Sequence, residues 1–170
     1  WKNCMKTEKE NKKFFPVFID LSTKRVVVFG AGKIATRRAE TLLSFAGELI
    51  VIAPACTERI AQLFEEGKLV YKEKPYDRED LYAADVVLAA TDDTKVNEDI
   101  YSACKCLGIP VNTASNQQKC DFHFPGILEY EGVVLGFNGS GKDHKKVKEV
   151  REKTRKALEQ IRKEEEKCEK

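Results

Sequence analysis

The chain lacks the long apolar run that a membrane-spanning helix needs, since nowhere do about 18 apolar residues follow one another. It also lacks an excess of charge of one sign: 30 Lys and Arg residues face 28 Asp and Glu residues, a net charge of +2. This balance argues against a dedicated nucleic-acid-binding protein, because such proteins present a basic surface. Residues 1–13 are polar and lysine-rich, without the apolar core of a secretory signal. We therefore predict a cytoplasmic protein with neither a membrane nor a nucleic-acid partner.

No disulfide framework is expected, although the 170 residues include six cysteines. An apolar share of 42% is enough to build a core without cross-links, and the predicted compartment keeps thiols reduced. Cys104 and Cys106 fall on a predicted helix, where residues two apart do not share a face. The pair is therefore not a redox motif, and we expect core or surface thiols.

Five short apolar runs, rich in β-branched residues, alternate with helical patterns in the middle of the chain. The pattern predicts βαβ units and a parallel sheet with helices on both faces, since the runs are apolar throughout rather than alternating. The predicted strands are Arg25–Phe29, Glu48–Ala53, Leu69–Lys72, Asp85–Ala90 and Ile109–Asn112. The predicted helices are Lys33–Ala46, a helix capped by Thr57 that runs to about Glu66, and Thr94–Leu107, which ends at Gly108.

The pattern changes after Asn112. Phe122–Phe124 and Gly132–Phe137 are both strand-like with no helix between them, which predicts a small antiparallel element. Asp143–Lys170 carries one narrow apolar stripe on a charged helix, and this stripe either packs on its own domain or forms a dimer contact. The predicted organisation is a flexible lead-in (1–13), an α/β domain (14–115), the antiparallel element (116–141) and a C-terminal helical segment (142–170).

The strongest chemical signal is the glycine-rich turn from Gly30 to Ala35, which follows a predicted strand and opens a predicted helix. Gly30 permits the tight turn, Gly32 lets the backbone approach a pyrophosphate, and Ala35 lets the helix pack close to the sheet. The free N–H groups at the helix start, around Lys33 and Ile34, would face the phosphates. The turn therefore predicts dinucleotide binding; the alternative is a turn that binds no ligand.

The choice between NAD and NADP is open at this point. An acidic residue is expected at the end of the second strand, where it would bind the ribose hydroxyls of NAD. Ala53 and Pro54 stand there instead, and the nearest arginine that could attract the phosphate of NADP is Arg59. Backbone groups at Ala53 and Pro54, or a different loop, must then hold the ribose.

Thr91 and Asp92 follow the fourth predicted strand. Ligands of open α/β sheets bind beyond the carboxyl ends of the strands, so these residues are candidates for the nicotinamide side of the site. The alternative is that Asp92 and Asp93 simply cap the next helix, and both roles are compatible.

Cys120, Asp121 and His123 invite a metal-binding interpretation, because all three residue types bind metal ions. On a strand, however, Asp121 and His123 share one face while Cys120 points to the other. Two ligands on one strand do not make a site, so we predict no metal centre.

Several motifs in order along the chain resemble the precorrin-2 dehydrogenase/sirohydrochlorin ferrochelatase family, the dehydrogenase module of siroheme synthase. The motifs are Phe15–Phe18, Val28–Ala39, Ala89–Asn97, Ile109–Asn112 and Cys120–Pro125. The resemblance implies a Rossmann domain, a dimerisation region (here 116–141) and a helical domain, of which 142–170 is a truncated form. It also implies NAD as cofactor, precorrin-2 as substrate, sirohydrochlorin as product, a homodimer and, in some members, metal insertion.

The family carries an aspartate after the fifth strand that is thought to act in catalysis, and Ser115 stands at that position here. A serine is a much weaker base than a carboxylate. The resemblance thus makes Ser115 the candidate catalytic position, with Asp121 as a substitute if the fold brings it to the cleft. The alternative function is a non-catalytic protein that binds a tetrapyrrole or a dinucleotide.

Overall fold

The computed structural model describes residues 14–139 and 143–168, so the predicted lead-in 1–13 lies outside it. The chain forms two compact units. The first spans Phe18–His123, and the second holds the described residues from Phe124 onward together with 14–17. The first unit therefore continues beyond residue 115, where the sequence placed the end of the α/β domain.

The first unit is built on a five-stranded parallel sheet with the strand order β3-β2-β1-β4-β5. The central strand is buried on both faces: Val26, Val28 and Phe29 are fully inaccessible to solvent. Unbroken apolar runs are typical of such strands. The predicted α/β fold class is confirmed, with strands β1 Arg25–Phe29, β2 Glu48–Ala53, β3 Val70–Glu73, β4 Val86–Ala89 and β5 Val111–Thr113.

Three helices connect these strands: α1 Lys33–Leu42, α2 Glu58–Glu65 and α3 Thr94–Leu107. Right-handed crossovers put α1 and α2 on one face of the sheet and α3 on the other. Local signals set the helix ends, since the Thr57 side chain accepts the Ile60 N–H and Gly108 ends α3 at φ 71°. α1 ends before the predicted Ala46, because the chain must turn into β2.

The two cysteines of α3 occupy opposite environments. Cys104 is buried in the core and Cys106 is exposed. Burial raises the pKa of the Cys104 thiol to about 12. The thiolate, which is the reactive form, is therefore negligible at Cys104 near neutral pH.

We expect iodoacetamide at pH 8 to alkylate Cys106 and to leave Cys104 unmodified until the protein unfolds. Peptide mapping by mass spectrometry, with and without denaturant, measures both residues in one sample. Equal modification of the two thiols in the native protein would show that this end of α3 is open to solvent.

The segment after β5 corrects one prediction: Phe122–Phe124 is not a strand. The chain forms a short 3-10 turn at Gln117–Lys119 and returns along β5, where the Asp121 N–H donates to the Val111 carbonyl at 2.9 Å. The Asn112 side chain then donates to the Phe122 carbonyl at 2.7 Å. These bonds tie the segment to β5 and explain why the compact unit runs to His123.

The second unit contains the predicted antiparallel element, but its strands are β6 Gly126–Tyr130 and β7 Val133–Phe137. A two-residue turn joins them, with positive φ at both Glu131 (48°) and Gly132 (79°). Positive φ at both positions is the geometry that tight hairpins favour.

The C-terminal helix α4, His144–Cys168, packs on this hairpin. The Tyr130 hydroxyl donates to the Leu158 carbonyl at 3.1 Å, and a Cβ built on Gly126 would lie 3.2 Å from the Val147 side chain. Of the two interpretations of the apolar stripe, packing within its own domain is therefore observed. Val150 and Ile161 on the same stripe remain exposed.

Candidate functional site

The carboxyl ends of four strands meet at one edge of the parallel sheet. Phe29 is in register with Ile52 and with Ala89, and Ala89 is in register with Thr113. Backbone bonds tie the edge together just beyond the strands, for example from Ala90 N to Phe29 O at 2.8 Å. The turns that follow these strands therefore open on the same side. The predicted cofactor residues lie in these turns or in the ends of the adjoining elements: Gly30, Gly32, Lys33, Ile34, Ala35, Ala53, Pro54, Thr91 and Asp92.

Gly30 is required by the fold itself. Its φ is 99°, in the region that favours glycine, and a Cβ there would lie 2.4 Å from the Ala90 carbonyl oxygen. The first turn of the site thus passes directly against the turn after β4. The two loops that would flank a bound dinucleotide are consequently fixed to each other.

Gly32 has no such requirement. Its backbone (φ −77°, ψ −174°) is extended, and a Cβ there would meet nothing within 4 Å. Neither packing nor backbone strain requires a glycine at this position, whereas close approach of a ligand favours one. The residues present therefore fit a dinucleotide pyrophosphate at this turn.

The start of α1 provides donors at the same place. The Gly32 N-cap makes no side-chain cap and the first turn holds no acidic residue, so its N–H groups and partial positive charge face the open edge. Lys33 and Ile34 are exposed there, while Ala35 is buried against the sheet as predicted.

Thr36, which no sequence signal singled out, pairs with Thr57, the predicted cap of α2, and this pair joins α1 to the loop after β2. The hydroxyls of Thr36 and Thr57 lie 2.9 Å apart, and the Thr57 N–H donates to the Ala31 carbonyl at 3.3 Å. The glycine turn is therefore held on both sides, by the β4 turn and by the start of α2. Thr36 and Thr57 are 21 residues apart in the chain, so no local sequence pattern shows that they pair.

Thr91 is held by a buried amide, that of Asn97 on α3, which is 1% exposed. The Asn97 Oδ1 accepts from the Thr91 N–H at 3.1 Å and from its hydroxyl at 2.9 Å, while Nδ2 donates to the Thr91 carbonyl at 2.9 Å. Asp93 caps α3 by accepting the N–H groups of Lys95 and Val96. Asp92 is exposed at the edge beside it.

Replacing Asn97 with aspartate is expected to lower the free energy of unfolding by about 1–3 kcal/mol, because the Thr91 carbonyl loses its donor and a carboxylate is buried. Urea unfolding measures the change. Asp92→Asn, an exposed change in the same loop, serves as the control and should stay within about 0.5 kcal/mol. Equal effects of the two variants would contradict the role of the amide.

The two candidate catalytic residues lie at different places. Ser115 is exposed just after β5, on the carboxyl edge, and its hydroxyl lies 3.0 Å from that of Thr113. The Asp121 carboxylate instead binds the start of β5, accepting from the Val111 N–H at 3.1 Å and from Lys105 Nζ at 2.7 Å. The fold thus brings Ser115 to the cofactor residues and does not bring Asp121 there.

Cys120 is also turned toward β5. Its sulfur accepts from the Thr113 N–H at 3.3 Å, and burial raises the pKa of its thiol.

Within residues 14–139 and 143–168, no group of three or more His, Cys, Asp or Glu side chains is arranged to hold a metal ion. Over the same ranges, none of the helices combines the length and apolar composition needed to cross a bilayer.

Comparison with known proteins agrees with this geometry. A family model described as "Putative NAD(P)-binding" matches residues 17–126. The chain belongs to this family. It is 39% identical over 143 residues to the "Probable multifunctional siroheme biosynthesis protein HemA" of Ruminiclostridium josui, a match that covers 84% of this chain and 28% of the relative. It is also 39% identical over 132 residues to the siroheme synthase of Nitrosospira multiformis, covering 75% of this chain and 28% of that protein.

A solved structure shares the fold. The precorrin-2 dehydrogenase SirC superposes with a TM-score of 0.74 at 26% identity, covering 83% of this chain and 69% of SirC. The predicted relationship to the precorrin-2 dehydrogenase/sirohydrochlorin ferrochelatase family is confirmed by these matches. The chain spans just over a quarter of the length of the curated relatives it matches, 28% in both cases above.

Proposed function

We propose that the protein is an NAD⁺-dependent precorrin-2 dehydrogenase that forms sirohydrochlorin, acting as a homodimer. The observation that carries the proposal is the turn at Gly30–Ala35, where Gly32 leaves room for a ligand although neither packing nor strain requires a glycine. The relatives named above, which are siroheme biosynthesis proteins and a precorrin-2 dehydrogenase, support the substrate.

The chain's own residues would bind and orient the cofactor. The N–H groups at the start of α1 face the pyrophosphate, with Gly32 leaving room for it. Thr91, fixed by Asn97 through three hydrogen bonds, lines the adjacent turn, which is the nicotinamide side of such sites. Because this turn is held rigidly, it would present the Thr91 backbone at a fixed distance from the ligand.

The reaction removes two hydrogens from precorrin-2. NAD⁺, when bound, would supply the acceptor for one hydrogen and its electron pair, so the other hydrogen would have to leave as a proton. The proton needs an acceptor near the carboxyl edge. Ser115 stands there, but its hydroxyl is paired with the Thr113 hydroxyl and not with a base. Solvent or a substrate carboxylate would then take the proton.

Ser115 also favours a second candidate function, that of a non-catalytic protein that binds a dinucleotide or a tetrapyrrole. Since the family's aspartate position is Ser115, binding could persist where oxidation is slow. Insertion of Fe²⁺ or Co²⁺ into the product, which occurs in some family members, is a further activity to measure in the same preparation.

Incubating the protein with precorrin-2 and NAD⁺ distinguishes these functions. We expect the absorbance of NADH and the sirohydrochlorin spectrum to rise together. Binding of NAD⁺ with no turnover would overturn the dehydrogenase and favour the binding protein. Absence of both binding and turnover, with an active dehydrogenase as control, would exclude both functions.

A further inference from the structure

The end of β2 lacks the carboxylate that usually binds the adenosine ribose of NAD. Ala53 ends the strand, and Pro54 and Ala55 follow. Those side chains offer neither a hydrogen-bond acceptor for ribose hydroxyls nor a cation for a phosphate. If this edge binds NAD⁺, as proposed above, a side chain that recognises the ribose must come from a neighbouring element.

β3 is that neighbour, and it ends in a carboxylate. Glu73 is the last residue of β3 and is in register with Ala53. Adjacent strands lie about 4.8 Å apart, so the backbone of Glu73 stands one strand spacing from the usual position of the acid. A glutamate side chain is long enough to cover that distance. Glu73 is exposed and thus available to a ligand at the edge.

Tyr71 shows which way Glu73 points. Residues two apart on a strand share a face, so Tyr71 and Glu73 lie on the same side of the sheet. The Tyr71 ring packs on Phe64 of α2, the helix that starts just after β2, and its hydroxyl donates to the Ala53 carbonyl at 2.9 Å. Glu73 therefore lies on the α2 side, one pleat nearer the carboxyl edge than a side chain that already contacts the end of β2.

The electrostatics agree with this placement. Desolvation, the neighbouring Cys56 thiol and the Glu73 carboxylate together raise the pKa of Tyr71 to about 12. The hydroxyl therefore stays protonated and keeps its bond to the Ala53 carbonyl. The Glu73 carboxylate is close enough to the Tyr71 hydroxyl for its charge to raise the pKa of Tyr71.

The basic residues around Glu73 are engaged by other carboxylates. Lys74 binds Asp80 at 2.8 Å, and Lys72 lies 4.0 Å from the same carboxylate. Arg59, at the start of α2, donates to Glu40 at 2.7 Å. None of these three cations is paired with Glu73, so the phosphate that distinguishes NADP would meet the Glu73 carboxylate if it lay at the end of β3.

We propose that Glu73, at the end of β3, is the specificity-determining residue that binds the adenosine ribose hydroxyls and makes the protein prefer NAD⁺ to NADP⁺. This inference rests on the proposed function only in that a dinucleotide binds at the Gly30–Ala35 turn. It moves the acid of the usual arrangement from one strand to the next.

Isothermal titration calorimetry of both dinucleotides against the wild type, Glu73→Gln and Glu65→Gln tests the proposal. Glu65 is a matched control, because it is an exposed glutamate of the same unit that lies at the far end of α2. We expect Glu73→Gln to weaken NAD⁺ binding about tenfold, the effect of losing about 1.4 kcal/mol, and to strengthen NADP⁺ binding. Glu65→Gln should change neither affinity.

The outcomes separate this inference from the proposed function. If the wild type binds NAD⁺ but Glu73→Gln leaves the ratio of the two affinities unchanged, ribose recognition by Glu73 is overturned while the proposed function stands. Equal changes in Glu73→Gln and Glu65→Gln would reduce the effect to net charge and overturn it as well. If the wild type binds neither dinucleotide, the proposed function fails together with the inference.

Discussion

Replacing Gly32 with alanine is expected to abolish most dinucleotide binding while leaving the fold intact. The Gly32 backbone is one that alanine adopts without strain, and the added methyl group would meet no protein atom within 4 Å. The same methyl group would occupy the space through which a pyrophosphate approaches the start of α1. A clash of this kind costs about 1–3 kcal/mol, so NAD⁺ affinity should fall about tenfold or more.

Gly30→Ala is the matched control, because we expect it to destabilise the fold that Gly32→Ala leaves intact. Its φ of 99° and the 2.4 Å separation from the Ala90 oxygen make any side chain there incompatible with the present turn. We expect a loss of about 3–5 kcal/mol of unfolding free energy from strain and overpacking combined. Urea unfolding and calorimetric titration with NAD⁺ on both variants separate folding from binding.

The pair gives a sharp test because the two glycines are two residues apart in one motif. An unchanged NAD⁺ affinity in Gly32→Ala would mean that no ligand approaches this backbone, and the dinucleotide site would have to be abandoned. An equal loss of stability in both variants would instead make the glycines equivalent parts of the turn.

Elements whose signals are local could be predicted from the sequence. β1, β2 and α3 begin and end where they were expected, because β-branched runs mark the strands and Gly108 ends the helix in the left-handed region. The convergence of the cofactor residues also follows from a general property of parallel sheets, whose carboxyl ends share one edge.

Elements whose hydrogen bonds are formed with distant residues could not be predicted from the sequence. Phe122–Phe124 has the composition of a strand, but the segment before it is drawn back along β5 by the Asp121 and Asn112 bonds. No pattern within residues 116–125 encodes that return. The strand begins only at Gly126, after Pro125, and its turn at Glu131–Gly132 is the one local signal that would have located the hairpin.

The same return path decides which candidate catalytic residue reaches the site. The sequence gives no sign that Asp121 is bonded to other groups. In the structure both of its carboxylate oxygens accept hydrogen bonds, one from the β5 backbone and one from Lys105. The buried Asn97 amide was missed for a related reason, since its three bonds to Thr91 depend on the packing of α3 beside β4.

Ser115→Asp is expected to raise the rate of sirohydrochlorin formation by about 10²–10⁴-fold, the usual contribution of a positioned general base. The position suits the change. Ser115 is exposed at the carboxyl edge, so a carboxylate there stays solvated and ionised, and the Thr113 hydroxyl remains available to orient it. Initial rates of NADH formation at saturating NAD⁺ measure the gain.

Ser115→Asn is the control, because an asparagine has the shape of aspartate without its basicity. If proton removal limits the wild-type enzyme, only the aspartate variant gains rate, and its rate should fall as pH is lowered through the pKa of the new carboxyl. If both variants or neither gain rate, the proton leaves by another route and the residue after β5 is not what limits oxidation. A gain confined to Ser115→Asp would mean that this chain keeps the dehydrogenase site and lacks only a proton acceptor. The Ser115 hydroxyl is bonded to the Thr113 hydroxyl, and a threonine hydroxyl is not a base that could take a proton from the serine.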